Sequence, residues 1–160
     1  MQIIKIQALR GPNIWSIRRT KLIQMRLDLE ELEERPTDKI EGFRERIEEL
    51  LPTLIEHRCS EGCHGGFFQR VDRGTWMGHV IEHIALEIQT LAGMDVGFGR
   101  TRETKTPGVY NVVFNYLEEK VGVYAAKASV KIAEALIAGD KYDLTDDIQK
   151  MKEIREDVRL

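Results

Sequence analysis

Residues 75–93 read TWMGHVIEHIALEIQTLAG. Met77, Val80, Ile81, Ile84, Ile88 and Leu91 recur at intervals of three and four, the spacing that gathers apolar side chains on one side of an α-helix. Thr75 offers an N-cap hydroxyl and Gly93 a stop signal, so the pattern predicts a helix over 75–92. What flanks this helix decides the fold. Before it, QIIKIQAL (2–9) alternates as a strand with Ile4 and Ile6 on one face, and TKLIQMRLDL (20–29) repeats the pattern with Leu22, Leu27 and Leu29 around Met25. Between these two, RGPNIWSIRR carries Gly11-Pro12-Asn13 and reads as a loop with an exposed Trp15. After the helix, VGFGRTRET and GVYNVVFNYL form a second strand pair across Lys105-Thr106-Pro107.

Two further helices complete the pattern. Ile40, Phe43, Ile47, Leu50 and Leu51 mark one over 40–51, ended by Pro52, and Val123, Ala126, Val130, Ala133 and Ile137 mark another over 119–138, ended by Gly139. The stretch 57–74, HRCSEGCHGGFFQRVDRG, holds four glycines, both cysteines and two histidines, and reads as a long functional connection. The charge-dense tail 140–160 is weakly helical and is expected to be a linker outside the core. The order is ββααββα, an α+β single domain over residues 1–139 with helices packed on an antiparallel sheet.

A chain of 160 residues holds one such domain with a real core. With 24 Lys+Arg against 27 Asp+Glu it lacks the cationic excess of a nucleic-acid binder, and this balance of signs suits a zwitterionic partner. No stretch has the length of a transmembrane helix and the N-terminus lacks the apolar region of a signal peptide. Neither nucleic acid nor membrane is an expected partner, and the expected location is cytoplasmic. There, Cys59 and Cys63 are expected to be free, redox-active or metal-binding rather than bridged.

Within the central helix, His79, Glu82 and His83 spell H-x-x-E-H and lie one turn apart, off the apolar stripe. Two imidazoles so placed can reach one zinc ion, and the adjacent glutamate can serve as general base; the inverted zincins use this pattern. The alternative is a solvated polar face. A catalytic zinc needs a third protein ligand, for which Glu87, Glu118 and Glu119 are the candidates. His57, Cys59, Cys63 and His64 form a rival cluster, with plain buried or capping thiols as its alternative.

Several long stretches, IQALRGPNIW (6–15), MRLDLEELEERP (25–36), HRCSEGCHGGFF (57–68), TWMGHVIEHIALEIQTLAG (75–93) and FGRTRETKTPGVYNVVFNYLEE (98–119), closely resemble the N-terminal domain of cyanophycin synthetases. The resemblance implies the first part of a three-part, homo-oligomeric ligase. Its ATP-grasp domain, adding Asp, and its Mur-ligase-like domain, adding Arg, would lie elsewhere, together with their ATP and Mg2+. The tail 140–160 resembles the segment leading into the ATP-grasp domain, and no P-loop occurs in the chain. The implied partner is cyanophycin, a poly-aspartate backbone with arginine on each side chain. Arg100, Arg102 and Lys105 in the hairpin, with Arg18 and Arg19 in the first loop, are candidates to hold its carboxylates. Joined to the motif, the resemblance implies a domain that binds the polymer and cleaves it internally at a Zn2+ site, creating primers, with His79 and His83 as ligands and Glu82 as base. A non-catalytic module that anchors the growing chain is the competing expectation; a purely structural domain is the third.

Overall fold

Strict alternation in the second strand divides the sheet into two faces. In the computed structural model, which describes residues 1–19 and 21–160, Ile23, Met25 and Leu27 are fully buried on one face while Leu22 is fully buried on the other. Thr20, where the sequence pattern starts this strand, lies outside the described residues. The strands are β1 (Gln2–Leu9), β2 (Leu22–Asp28), β3 (Gly99–Glu103) and β4 (Val109–Asn115), all paired antiparallel in the order β1-β2-β4-β3.

Five α-helices occur among the described residues: α1 (Phe43–Leu50), α2 (Gly66–Arg73), α3 (Met77–Leu91), α4 (Glu119–Ala138) and α5 (Thr145–Arg159). The α+β class with an antiparallel sheet is as expected. The order is ββαααββαα, with two helices more than the sequence pattern gave. Helix α3 lies against β3 and β4, α4 lies against β1 and β2, and the two pack side by side over the same sheet face. Ile23, Met25, Leu27, Val112 and Phe114 from the sheet meet Val80, Ile81, Ile84, Ala125, Ile132 and Ala133 from these helices in one core.

Four local readings are corrected. A bulge at Ile4 shifts the β1 register between Ile3 and Lys5, so Ile3 and Ile6 face the core and Ile4 stands half exposed. Trp15, expected to be exposed, is buried against Leu22 and Val113 on the open face of the sheet, because the Asn13 side chain accepts from the Trp15 and Ser16 amides and folds the loop down. Residues 66–73, inside the predicted connection, are helical because Phe67, Phe68 and Val71 all bury on one side. The tail carries α5, whose Met151 is fully buried and whose Asp147 accepts hydrogen bonds from Tyr124 (2.7 Å) and Tyr142 (2.5 Å). Among the described residues no helix is long and apolar enough to cross a membrane.

Candidate metal centre

Helix α3 begins at Met77 with Trp76 at the N-cap position, so Thr75 does not cap it. Its amide donates to Thr37 Oγ1 (3.0 Å) and its hydroxyl meets His79 Nδ1 (3.0 Å). The predicted helix face is confirmed in orientation and corrected in burial. Val80, Ile81, Ile84 and Ile88 are fully buried in the core, while His79, Glu82, His83 and Glu87 line a groove of about 1080 Å³. That face is not a solvated surface, since Glu82, His83 and Glu87 are each at most 6% exposed. Leu91, expected on the apolar stripe, is 36% exposed at the groove's edge. The other walls come from the short 3-10 turns Pro52–Glu56 and Cys59–Glu61 and from residues 96–101.

The two histidines meet at their Nε2 atoms, 3.0 Å apart, and the Cys59 thiol lies 3.0 Å from His79 Nε2. One donor atom from each of Cys59, His79 and His83 lies within 4.8 Å of the other two. A tetrahedral zinc with nitrogens at about 2.0–2.1 Å holds them about 3.3 Å apart, close to the spacing found. The chemistry of the set fits as well, because one soft thiolate and two imidazoles suit zinc. Cys59 adopts φ 54, a left-handed conformation uncommon for non-glycine residues. Its turn packs so closely on α2 that a Cβ at Gly66 would lie 2.8 Å from the Arg58 carbonyl carbon.

Glu82 stands beside this group. Its Oε1 is 4.0 Å from His83 Nε2, and its Oε2 accepts from Thr101 Oγ1 (2.6 Å). Burial pushes its carboxyl up to about 7, against the opposing pull of the Thr101 hydrogen bond. Burial, aided by the Arg70 charge, lowers His79 to about 4; burial, with His79 and His57 nearby, lowers His83 well below the ordinary imidazole value. Both rings are therefore neutral at pH 7, the form that ligates metal.

The three sequence candidates for a third ligand go elsewhere. Glu87 turns to His57, with Oε2 2.7 Å from His57 Nε2, and accepts from Thr53 through Oε1. Glu118 and Glu119 line a separate groove, where Glu119 pairs with Arg10. Cys59 stands in the third position, and the spacing of the H-x-C-x-x-x-C-H run conceals this, since the fold takes that run apart. His64 is exposed beside Glu56 (3.6 Å), and the exposed Cys63 lies near Gln69. His57 sits behind His83, their Nδ1 atoms 2.8 Å apart.

Of the predicted polymer contacts, Arg100 reaches the groove rim, and Arg19 and Arg100 flank the Phe98 ring at 5.9 and 5.6 Å. Arg18, Arg102 and Lys105 are exposed and do not line the groove. Arg58 and Arg70, not singled out from the sequence, do line it, and Arg70 Nε has no hydrogen-bond partner among the described residues.

Fold and groove together define an antiparallel α+β domain whose central helix and preceding turn assemble a Cys/His/His donor group with a buried carboxyl beside it. Residues 24–138 match the cyanophycin synthase-like N-terminal domain, and the chain belongs to that family. It is 56% identical to a cyanophycin synthetase of Trichormus variabilis over 163 residues, which cover 100% of this chain and 18% of the relative. Relatives of the same name from Geminocystis herdmanii (55% identity, 97% of this chain and 18% of the relative) and Synechocystis sp. (54%, 98% and 18%) are similar. The chain thus spans 18% of the length of these curated relatives.

Proposed function

We propose that this chain is the polymer-handling domain of a cyanophycin synthetase, and that it hydrolyses internal backbone peptide links of the Asp-Arg polymer at the Cys59/His79/His83 centre. The observation that carries this reading is the Cys/His/His donor group with the Glu82 carboxyl 4.0 Å from His83 Nε2, at the floor of an open groove. A divalent cation such as Zn2+, held by Cys59, His79 and His83, would act as Lewis acid on the scissile carbonyl and the attacking water. Glu82 Oε1, left free by the Thr101 bond to Oε2, takes the proton from that water as its oxygen attacks the carbonyl carbon. The carbon–nitrogen bond then breaks and Glu82 passes the proton to the leaving nitrogen. Burial favours the protonated form of this carboxyl, which helps Glu82 take up the proton, while a bound cation would favour the ionised form and help it give the proton back. Gly99 makes room for it, because a Cβ there would stand 2.6 Å from Glu82 Cγ.

The groove walls suit a zwitterionic chain. Arg58, Arg70 and Arg100 offer donors for aspartyl carboxylates and Glu56 an acceptor for guanidinium, while Arg19 beside Phe98 extends the cationic rim. Arg18, Arg102 and Lys105 would make weaker contacts with polymer running beyond the groove. Each internal cut yields two shorter chains, and so more ends for ATP- and Mg2+-dependent ATP-grasp and Mur-ligase-like domains to extend in a longer, homo-oligomeric cytoplasmic enzyme.

The test is to incubate long cyanophycin with the wild-type chain, a Glu82→Gln variant and a chelator-treated sample, and to measure polymer length. Shortening by wild type alone is expected, with Glu82→Gln reduced by about 10²–10⁴ if it retains its metal. Equal shortening in all three samples, or none in any, would overturn the hydrolase. Salt-sensitive binding without shortening would leave the anchoring module.

A further inference from the structure

Beside the donor group, His57 and Glu87 continue the contact chain along the groove wall: His83 Nδ1 to His57 Nδ1 at 2.8 Å, then His57 Nε2 to Glu87 Oε2 at 2.7 Å. We propose that Glu87 and His57 form a relay that locks His83 in the Nδ1–H tautomer, turning its Nε2 lone pair toward the cation site; both are positioning residues. The inference rests on the metal reading above and assigns it a tautomer lock.

The protons can be placed one after another. An ionised carboxylate has no proton to give, so at the Glu87 contact His57 Nε2–H must be the donor. Glu87 is held in that state by donors on both its oxygens, Thr53 Oγ1 on Oε1 and His57 on Oε2. A neutral His57 protonated at Nε2 carries its lone pair on Nδ1. At 2.8 Å from His83 Nδ1, that lone pair accepts the His83 Nδ1–H. His83 Nε2 is then bare and faces His79 Nε2 at 3.0 Å. On the other side Thr75 Oγ1, 3.0 Å from His79 Nδ1, is placed to accept the Nδ1–H of the same tautomer in His79. Two bare nitrogens 3.0 Å apart, with the Cys59 sulfur 3.0 Å from one of them, present their lone pairs to the same small space, which a cation can fill. Carboxylate or carbonyl partners behind a ligating imidazole commonly contribute 10–100-fold in metal affinity.

Zinc competition against a chromophoric chelator, with ¹⁵N NMR of the histidine side chains in the zinc-loaded chain, tests the proposal. The wild-type spectrum should show His57 as the Nε2–H tautomer, a readout that a merely structural role would not fix. His57→Phe, which keeps a ring but removes the acceptor, should bind Zn2+ about 10–100-fold more weakly. With cobalt in its place the same variant should still show thiolate-to-metal absorption, marking Cys59 as a ligand. His57→Gln, whose side-chain carbonyl can accept from His83, should recover part of the affinity. If wild type takes up zinc and His57→Phe binds it equally tightly, the relay is wrong and the metal site stands. If wild type takes up none, the metal reading fails and the relay with it. Finding His57 protonated at Nδ1 overturns the relay whether or not any variant folds.

Discussion

Replacing Gly99 by alanine would place a methyl group 2.6 Å from Glu82 Cγ and 2.7 Å from Cδ. Carbon atoms rest at about 3.5–4.0 Å, so the carboxyl must retreat by about 1 Å, and the Thr101 hydrogen bond that fixes Oε2 goes with it. Overpacking of this kind costs about 1–3 kcal/mol of stability. A displacement of about 1 Å in a reacting group costs about 10²-fold in turnover. The three atoms nearest such a Cβ all belong to Glu82 and none to a donor side chain, so metal uptake should be unchanged while polymer shortening falls about a hundredfold. Gly97→Ala is the control for stability and metal uptake, since nothing lies within 4 Å of a Cβ there. Rates of chain shortening, with metal content measured on the same samples, decide the matter. Gly99→Ala cleaving within about twofold of wild type would show that Glu82 need not stand where the structure holds it.

Two further outcomes are expected. In metal-free protein the folded state holds a proton on Glu82 between the ordinary 4.5 and about 7 that the unfolded chain has released. The stability this contributes is full below 4.5 and is lost as pH rises through 7, so wild type should lose about 3 kcal/mol relative to Glu82→Gln across that window in denaturant titrations; parallel curves would deny the burial effect. Met151→Ala should cost about 2–5 kcal/mol, read by thermal unfolding, because Met151 is fully buried where α5 docks; a change under about 0.5 kcal/mol would return residues 140–160 to the status of a linker.

The parts of the fold legible in the sequence are those where one periodicity runs long enough to speak for itself. Helix α4 spans 119–138 as its spacing and Gly139 require, and α3 falls within two residues of its predicted ends. What was hidden lies where composition masks a short pattern. In α2 the apolar Phe67, Phe68 and Val71 are spaced for a helix, but Gly65, Gly66 and the cysteine-rich run before them read as a loop. In α5 the three-residue spacing of Ile148, Met151 and Ile154 is submerged among charges. The site divides the same way. His79, Glu82 and His83 share a helix, so their juxtaposition follows from a single period. Cys59 is 20 positions from His79 and arrives through a turn with φ 54, which no local spacing encodes. Glu87 had the right chemistry for a ligand, and only the three-dimensional structure shows His57 and Thr53 already holding both its oxygens.

The most direct measurement is the metal content of the purified chain by elemental analysis, in wild type and in Cys59→Ala, His83→Ala and Glu82→Gln. About one equivalent of zinc in wild type and in Glu82→Gln, lost in the other two, is the expected result. Less than a tenth of an equivalent in wild type after zinc loading, or a full equivalent in Cys59→Ala and His83→Ala, would contradict a centre built from Cys59, His79 and His83.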